Sequence, residues 1–414
     1  MLRLEANSLD EAFRIDIAQI DVVYDVDPQS EYVNGRSRMR FQMREGQVQP
    51  IFHFDPWTPF GRGRANSLLR VVLNGEEIPV EELISARMLG SEQNLFEIDR
   101  ILVAGEHVLE FEWELWNWFK HEEPGWFRTV VDDSGGMGNE TLWPTINSPD
   151  ELARHTLEFR IHSDEPYSAV GSTGVDRDLE SGVQVFKIDT GREVSSYTVM
   201  LCALPSDQVS EHSFMAGDVP VSMLSTLDEV ATAQAVEITK GRLFSLAADF
   251  GELAQPSVDI LLIDWDTGME YFGATTTGLV ALPHELTHLY WGTVAINSTW
   301  RDSWLDEAIN VWWNYNSAPV ADDFSSDLLS GSHSLALGFD DRAYEEGARV
   351  IGAVAAKLGV ADAVEFLAGV YSERQFEPFS TDDFVADLVR FTGDQRWITR
   401  FERWVGNAQW AASR

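Results

Sequence analysis

The chain has 414 residues, 44% of them hydrophobic and 15 of them tryptophan, enough for packed cores and for two domains. Its 30 basic and 68 acidic residues give a net charge of −38, which repels phosphate backbones and excludes nucleic acid as an expected partner. No long uncharged apolar run is present, so no membrane span is expected, and the single cysteine, Cys202, excludes an internal disulfide.

The amino-terminal stretch "MLRLEANSLDEAFR" carries acids where a secretory signal has a cationic end and an apolar block. With the lone cysteine, this gives a cytoplasmic, reducing setting as the expectation. From there to about Leu204 the chain reads as strands. "RIDIAQIDVVYDVD" and "SRMRFQMREG" alternate apolar and polar residues, the period of a half-buried strand. "LLRVVLNGEEIPV" places Asn74-Gly75 between two such runs, a strong hairpin signal. "EHVLEFEWELW", "HTLEFRIH", "GVQVFKIDT" and "SYTVMLCAL" continue the pattern. The expected fold for residues 1–205 is an antiparallel β-sandwich or saddle. The stretch from Asn117 to Leu142 fits neither period and reads as a long loop.

Near Pro205 the strand patterning stops, and residues 206–414 read as a second, mainly helical domain. Ser225 to Phe250 reads as helix. "SVDILLIDWD" is a near-continuous apolar run, as in a strand covered on both faces. Beyond Ala281 the pattern is helical, interrupted by a Ser- and Asp-rich connection from Ser317 to Ser334.

"ALPHELTHLYWG" stands out in this half. His284 and His288 are four apart and so lie one turn apart on one helix face, where both can reach one metal ion. Glu285 is rotated by about 100° and can approach a metal-bound water without taking a coordination position. Pro283 places the helix start close to itself. The other reading is two histidines on a surface helix. A third ligand is available in "DSWLDEAINVWW", where Glu307 follows His288 after 18 intervening residues, room for a turn and an antiparallel return. The remaining histidines show no ligand spacing.

H-E-x-x-H followed after 18 residues by Glu resembles the gluzincin aminopeptidases, the group of aminopeptidase N and leukotriene hydrolase. "HELTHLYWG" is similar to that family's HELAHQWFG, and "WLDEAIN" to its WLNEGFA. "GMEYFG", from Gly268, resembles G-x-M-E-N with Tyr271 in place of Asn. "YEEGARVIGAVAAKLG", from Tyr344, resembles Y-x-K-G with Glu346 in place of Lys. Thermolysin is similar in "HELTH" and "DEAI", but its third ligand lies one residue later and an Asp follows where this chain has Val311. The resemblance spans nearly the whole chain and implies a β domain followed by a thermolysin-like, mainly helical catalytic domain. The family's helical third domain has no counterpart in this sequence.

The resemblance also implies roles. Zn2+ would be bound by His284, His288 and Glu307, with Glu285 as general base. Tyr344 would donate its hydroxyl to the oxyanion, although by pattern alone Tyr344 reads as a core residue at helical spacing. Gly268, Met269 and Glu270 would form an edge strand that binds a peptide substrate, with Glu270 holding its free amine. The family's amine-contacting Gln has no clear counterpart; Glu140 in "GNETLWPT" is the nearest position. The leading expectation is a zinc aminopeptidase. A relaxed or endo-acting zinc peptidase and a catalytically silent peptide-binding module also fit these residues.

Only four of the basic residues are lysines, and the acids are dispersed along the chain. Such a surface is strongly solvated; adaptation to high salt is the sharper reading.

Overall fold

The computed structural model describes residues 15–30, 32–43, 50–54, 67–87, 94–116, 125–129, 142–146, 148–326, 328 and 342–406. The alternating runs of the first half form strands. In Tyr32–Met43 every second side chain from Val33 to Met43 is buried, while Arg36, Arg38 and Arg40 stand on the wet face. Eight strands make one sheet, in the order Asp176–Glu180, Val183–Ser195, Leu152–Ile161, Ile15–Val26, Tyr32–Met43, Gly105–Trp116, Ser67–Leu73 and Glu76–Ile78. Asn74 and Gly75 join the last two at φ of 53° and 83°, the positive values that a type I′ turn requires.

One seam corrects the antiparallel expectation. Ile15–Val26 runs parallel to Leu152–Ile161, with Gln19 opposite Arg154 and Val26 opposite Ile161. A parallel neighbour needs a long crossover, and the chain between Val26 and Leu152 supplies it. A second correction concerns "SYTVMLCAL". Ser196–Thr198 is a 3-10 turn, and the strand begins only at Leu201. Thr198 Oγ1 donates to the Ser195 carbonyl at 2.8 Å, local bonding that competes with a sheet ladder. Within the expected long loop, Phe127–Arg128 pairs with Leu201–Pro205; Glu140 lies outside the described residues.

Sheet membership changes after Pro205. Leu201–Pro205 lies between Tyr167–Gly171 and Phe127–Arg128, whereas Ser210–Ala216 opens a five-stranded sheet. That sheet continues through Val219–Ser225, Val258–Leu262 and Ala274–Thr277 to Gly268–Tyr271 at its edge. Val258–Leu262 is buried throughout and parallel to both neighbours, which explains its unbroken apolar run. Among the described strands, Gly268–Tyr271 pairs antiparallel with Ala274–Thr277 and stands at the end of the sheet order.

Seven α-helices are present among the described residues, all after the five-stranded sheet has begun: α1 (Glu229–Phe250), α2 (Leu282–His288), α3 (Trp304–Tyr315), α4 (Ala348–Leu358), α5 (Val360–Glu373), α6 (Thr381–Thr392) and α7 (Arg396–Trp404). Asp228 caps α1 through the Ala231 amide, and Ser380 with Asp383 forms a capping box on α6. Gly359, at φ 99°, splits the long apolar stretch into α4 and α5. No helix among the described residues is long and apolar enough to cross a membrane. One large core runs through both halves, and a smaller cluster that includes Trp126, Met200, Cys202, Leu261 and Tyr271 joins the three-stranded sheet to the five-stranded one. Burial there pushes the Cys202 thiol up to about 12, so it is an inert packing group.

Candidate metal centre

The site is assembled by α2, α3 and the edge strand. Helix α2 has Pro283 in its first turn and only seven residues, and it ends on His288. Helix α3 lies against it, with Trp304, Leu305, Ala308 and Ile309 buried. Asn310, one turn beyond Glu307, donates its amide to the His284 carbonyl at 2.9 Å, and Asn314 donates to Thr287 Oγ1 at 3.1 Å. These bonds fix how α3 lies across α2, and so how Glu307 meets the histidines.

His284 Nε2 is 3.1 Å from His288 Nε2 and 3.1 Å from Glu307 Oε2, and His288 Nε2 is 3.5 Å from the same oxygen. Three atoms at tetrahedral zinc distances of about 2.0–2.1 Å would stand about 3.3–3.4 Å apart. The triangle therefore has the size that one zinc ion requires. His288 Nδ1 donates to the Trp291 carbonyl at 2.9 Å, which fixes the tautomer with Nε2 free to ligate.

Electrostatics point the same way. Glu285 is 4% exposed, and its Oε2 has no hydrogen-bond partner, an orphaned acceptor aimed into the site. Burial pushes its carboxyl well above the usual range, opposed by His288 and reinforced by Glu270 and Glu307. Burial likewise raises Glu270. For Glu307 burial also works upward, but His288 and His284 outweigh it and hold the carboxyl below its ordinary range. Burial alone would lower His288; Glu270 and Glu307 overcome this and raise it. Glu270, Glu285 and Glu307 thus surround His288 in a buried pocket, a charge balance that a bound cation would complete.

The remaining expected residues are arranged around this point. Glu270, Glu285 and His288 offer atoms all within 4.8 Å of one another, which puts Glu270 beside the ligands. Gly268 lies against Glu285: a Cβ there would fall 2.4 Å from Glu285 Cγ. Met269 points the other way, packing against the smaller buried cluster with Tyr271. Tyr344 is 39% exposed, not a core residue, and lies in a π-helical turn, Ala343–Gly347. Its hydroxyl donates to Glu307 Oε1 at 2.9 Å. Burial, then the charge of Glu307, push its phenol up, so it remains a protonated donor.

No protein-family model matches the sequence. Over 277 residues, 58% of this chain, it is 22% identical to glutamyl aminopeptidase of Rattus norvegicus, and it spans 29% of that relative's length. The fold is similar to that of an M1 zinc metallopeptidase of Deinococcus radiodurans, with a TM-score of 0.67 at 16% identity, covering 95% of this chain and 94% of the other. The chain therefore shares the fold of M1 zinc metallopeptidases, in keeping with the gluzincin resemblance of its motifs. Yeast LTA4 hydrolase is similar as well, with a TM-score of 0.69 at 12% identity, covering 95% of this chain and 68% of that one. Across these folds a β-rich amino-terminal part precedes a helical part, as here.

Several residues around the site were not singled out by the sequence. Asn310 had a usable signal, a polar residue on the same helix face as Glu307. Gln255, whose amide donates to the Leu289 carbonyl at 2.7 Å, and Tyr197, whose hydroxyl donates to the Gly292 carbonyl at 2.8 Å, had none, because both act across long sequence separations.

Proposed function

We propose that the chain is a zinc-dependent aminopeptidase that releases residues from the amino termini of peptides. The observation that carries this reading is the convergence of His284 Nε2, His288 Nε2 and Glu307 Oε2 at 3.1–3.5 Å, with the orphaned Glu285 carboxylate beside it. On this reading residues 206–414 form a thermolysin-like catalytic domain, and residues 1–205 form the β domain that packs on it.

Zinc, when bound, polarises the scissile carbonyl and lowers the pKa of a water to about 7. The chain's own residues supply the rest. Glu285 takes the proton of the attacking water and delivers it to the leaving amine. Tyr344 donates its hydroxyl hydrogen to the oxygen on which negative charge develops. Gly268–Tyr271, the last strand of its sheet among the described residues, offers backbone groups to an extended peptide. Glu270 takes the substrate ammonium in a charge-assisted bond. Glu270 and His288 offer atoms within 4.8 Å of each other, a spacing that supports an exopeptidase reaction, with the amine of the first residue at Glu270 and its carbonyl at the metal.

The test is hydrolysis of amino-acyl chromogenic substrates with and without a chelator, beside the same substrates acetylated on the amine. Release that stops with chelator, and that is at least about 10-fold poorer on acetylated substrates, is the expected result. Glu270→Ala should lose about 10- to 150-fold in kcat/KM on free amines and little on acetylated ones. Equal cleavage of both substrate forms by the unaltered protein favours the relaxed or endo-acting peptidase instead. Zinc-loaded protein that turns over neither form favours a binding module.

A further inference from the structure

The turn Ser196–Thr198 belongs to the β-rich half, yet it touches both parts of the site. Tyr197 is 4% exposed and its ring leans on Trp300, with centroids 5.0 Å apart. Its hydroxyl donates to the Gly292 carbonyl at 2.8 Å. Gly292 directly follows Trp291, whose carbonyl takes the Nδ1 hydrogen of His288 at 2.9 Å. The contact behind the ligand is tight. Gly292 has φ +101°, and a Cβ there would lie 3.0 Å from Asp306 Oδ2 and 3.3 Å from His288 Nδ1. One residue beyond Tyr197, the Thr198 carbonyl accepts from the Phe272 amide at 2.7 Å, two residues past Glu270.

The turn is itself anchored from behind. His155 is buried and neutral, lowered to about 4 by desolvation, and its Nδ1 donates to the Ala153 carbonyl at 2.8 Å. Its Nε2 is therefore an acceptor for Ser196 Oγ at 3.0 Å, and Ser196 Oγ accepts in turn from Thr145 Oγ1 at 2.9 Å. Burial, then the charges of Asp306, Glu270 and Glu307, push the Tyr197 phenol well above its ordinary range, so the hydroxyl stays protonated as the donor to the Gly292 carbonyl.

We propose that Tyr197 is a positioning residue for the metal centre: its hydroxyl holds the Trp291–Gly292 peptide so that the Trp291 carbonyl keeps His288 Nδ1 and aims Nε2 at the metal. Through the adjacent Thr198 carbonyl, the same turn holds the strand that carries Glu270. The distance between the metal and Glu270 is thereby set from the β-rich half, not within the helical half alone. This inference rests on the zinc reading above. The physical basis is that outer partners of a ligating histidine fix its orientation and contribute to metal affinity. A buried carbonyl that loses its donor turns toward another, and the turn moves with it.

The test measures zinc affinity of the full chain by competition with a chromogenic chelator, for the unaltered protein, Tyr197→Phe and Tyr24→Phe. Tyr197→Phe keeps the ring against Trp300 and removes only the hydroxyl. Tyr24→Phe removes another buried hydroxyl of the β-rich half, the one that donates to the Leu142 carbonyl at 2.9 Å. We expect Tyr197→Phe to bind zinc about 3- to 10-fold more weakly, and Tyr24→Phe to bind it as the unaltered protein does while melting at lower temperature. Equal affinity in Tyr197→Phe and the unaltered protein overturns the proposal. An equal loss in both variants also overturns it, because general loosening of the β-rich half would then be the cause. An unaltered chain that takes up no zinc removes the function reading, and this inference with it.

Discussion

Replacing Gly268 with alanine sets one methyl group against the residue that would act as general base. The new Cβ would fall 2.4 Å from Glu285 Cγ and 2.6 Å from both Cδ and Oε1. Carbon atoms in ordinary contact stand about 3.5–4.0 Å apart, so the separation must grow by about 1 Å. Two parts can yield. Gly268 lies on an edge strand, paired with Thr277 on one side only. The Glu285 carboxylate has an oxygen with no hydrogen bond to hold it, so it swings before the strand peels away. Overpacking of this kind costs the fold about 1–3 kcal/mol at most. The chemistry is far more sensitive, because about 1 Å of misplacement of a catalytic group costs about 10²-fold in rate. The expected outcome for Gly268→Ala is therefore full zinc content, a slightly lowered melting temperature and kcat reduced about 10²-fold on an amino-acyl chromogenic substrate. Metal analysis, thermal melting and steady-state kinetics on one preparation check all three. A kcat within about twofold of the unaltered protein would refute the idea that this glycine keeps the Glu285 carboxylate in place.

Four further outcomes follow from the same geometry and charge. Glu285→Gln should retain zinc and lose about 10²–10⁴ in kcat, since an amide cannot accept the water's proton; near-normal turnover would remove Glu285 from the chemistry. Tyr344→Phe should lower kcat more than it raises KM, because the hydroxyl acts chiefly on the developing charge; an effect on KM alone would make Tyr344 a binding residue. Asp259, 3% exposed and accepting from the Gly171 amide at 3.0 Å, is pushed up to about 7 by burial, so it favours the folded state when protonated. Its contribution is complete below the unfolded pKa near 4 and lost as pH rises to 7, so Asp259→Asn should stabilise the protein at pH 8, by on the order of 3–4 kcal/mol at most, and hardly at pH 4; equal melting shifts at both would contradict this. At a net charge of −38, screening of like charges should raise the melting temperature between low and molar salt, and a temperature that stays fixed would leave the acidic surface as solvation alone.

How much of this was legible in the sequence depended on distance along the chain. The two histidines were legible because helical spacing is a local property: four residues apart means one face, whatever the rest of the fold does. Glu307 needed only the inference that a second helix returns beside the first, and Asn310 and Asn314 now show what holds that return. The parallel seam between Ile15–Val26 and Leu152–Ile161 was not legible, because a strand's alternation is the same whichever way its neighbour runs. The strands Ser210–Ala216 and Val219–Ser225 did leave a signal, Gly217 at φ +65° in the turn between them, but their mixed faces blur the alternation. Tyr197 was hidden for another reason. Its neighbours alternate like a strand, while Ser195, Ser196 and Thr198 satisfy one another and their surroundings as a turn.

The positions where this chain departs from the gluzincin motifs it resembles are informative once they have places in three dimensions. Tyr271 stands where the family carries Asn. Strand alternation sends it, fully buried, to the face opposite Glu270, into the cluster of Trp126, Met200 and Cys202. The exchange is thus a matter of packing behind the edge strand, while Glu270 lies on the other face, near Glu285 and His288. Asp306 stands where the family's WLNEGFA has Asn. Its Oδ1 accepts from the Glu307 amide at 2.9 Å, as the oxygen of an Asn side chain would. Glu346 replaces a Lys and takes a hydrogen bond from Ser326 Oγ at 2.6 Å, tying the π-helical turn of Tyr344 to the connection after α3. In each case the departing residue contributes none of the three atoms that converge from His284, His288 and Glu307. Identity to a chain of the same fold is 16%, yet the triangle of His284, His288 and Glu307 has the dimensions that one zinc ion would need, so the fit is argued from this chain's own geometry and not from sequence likeness.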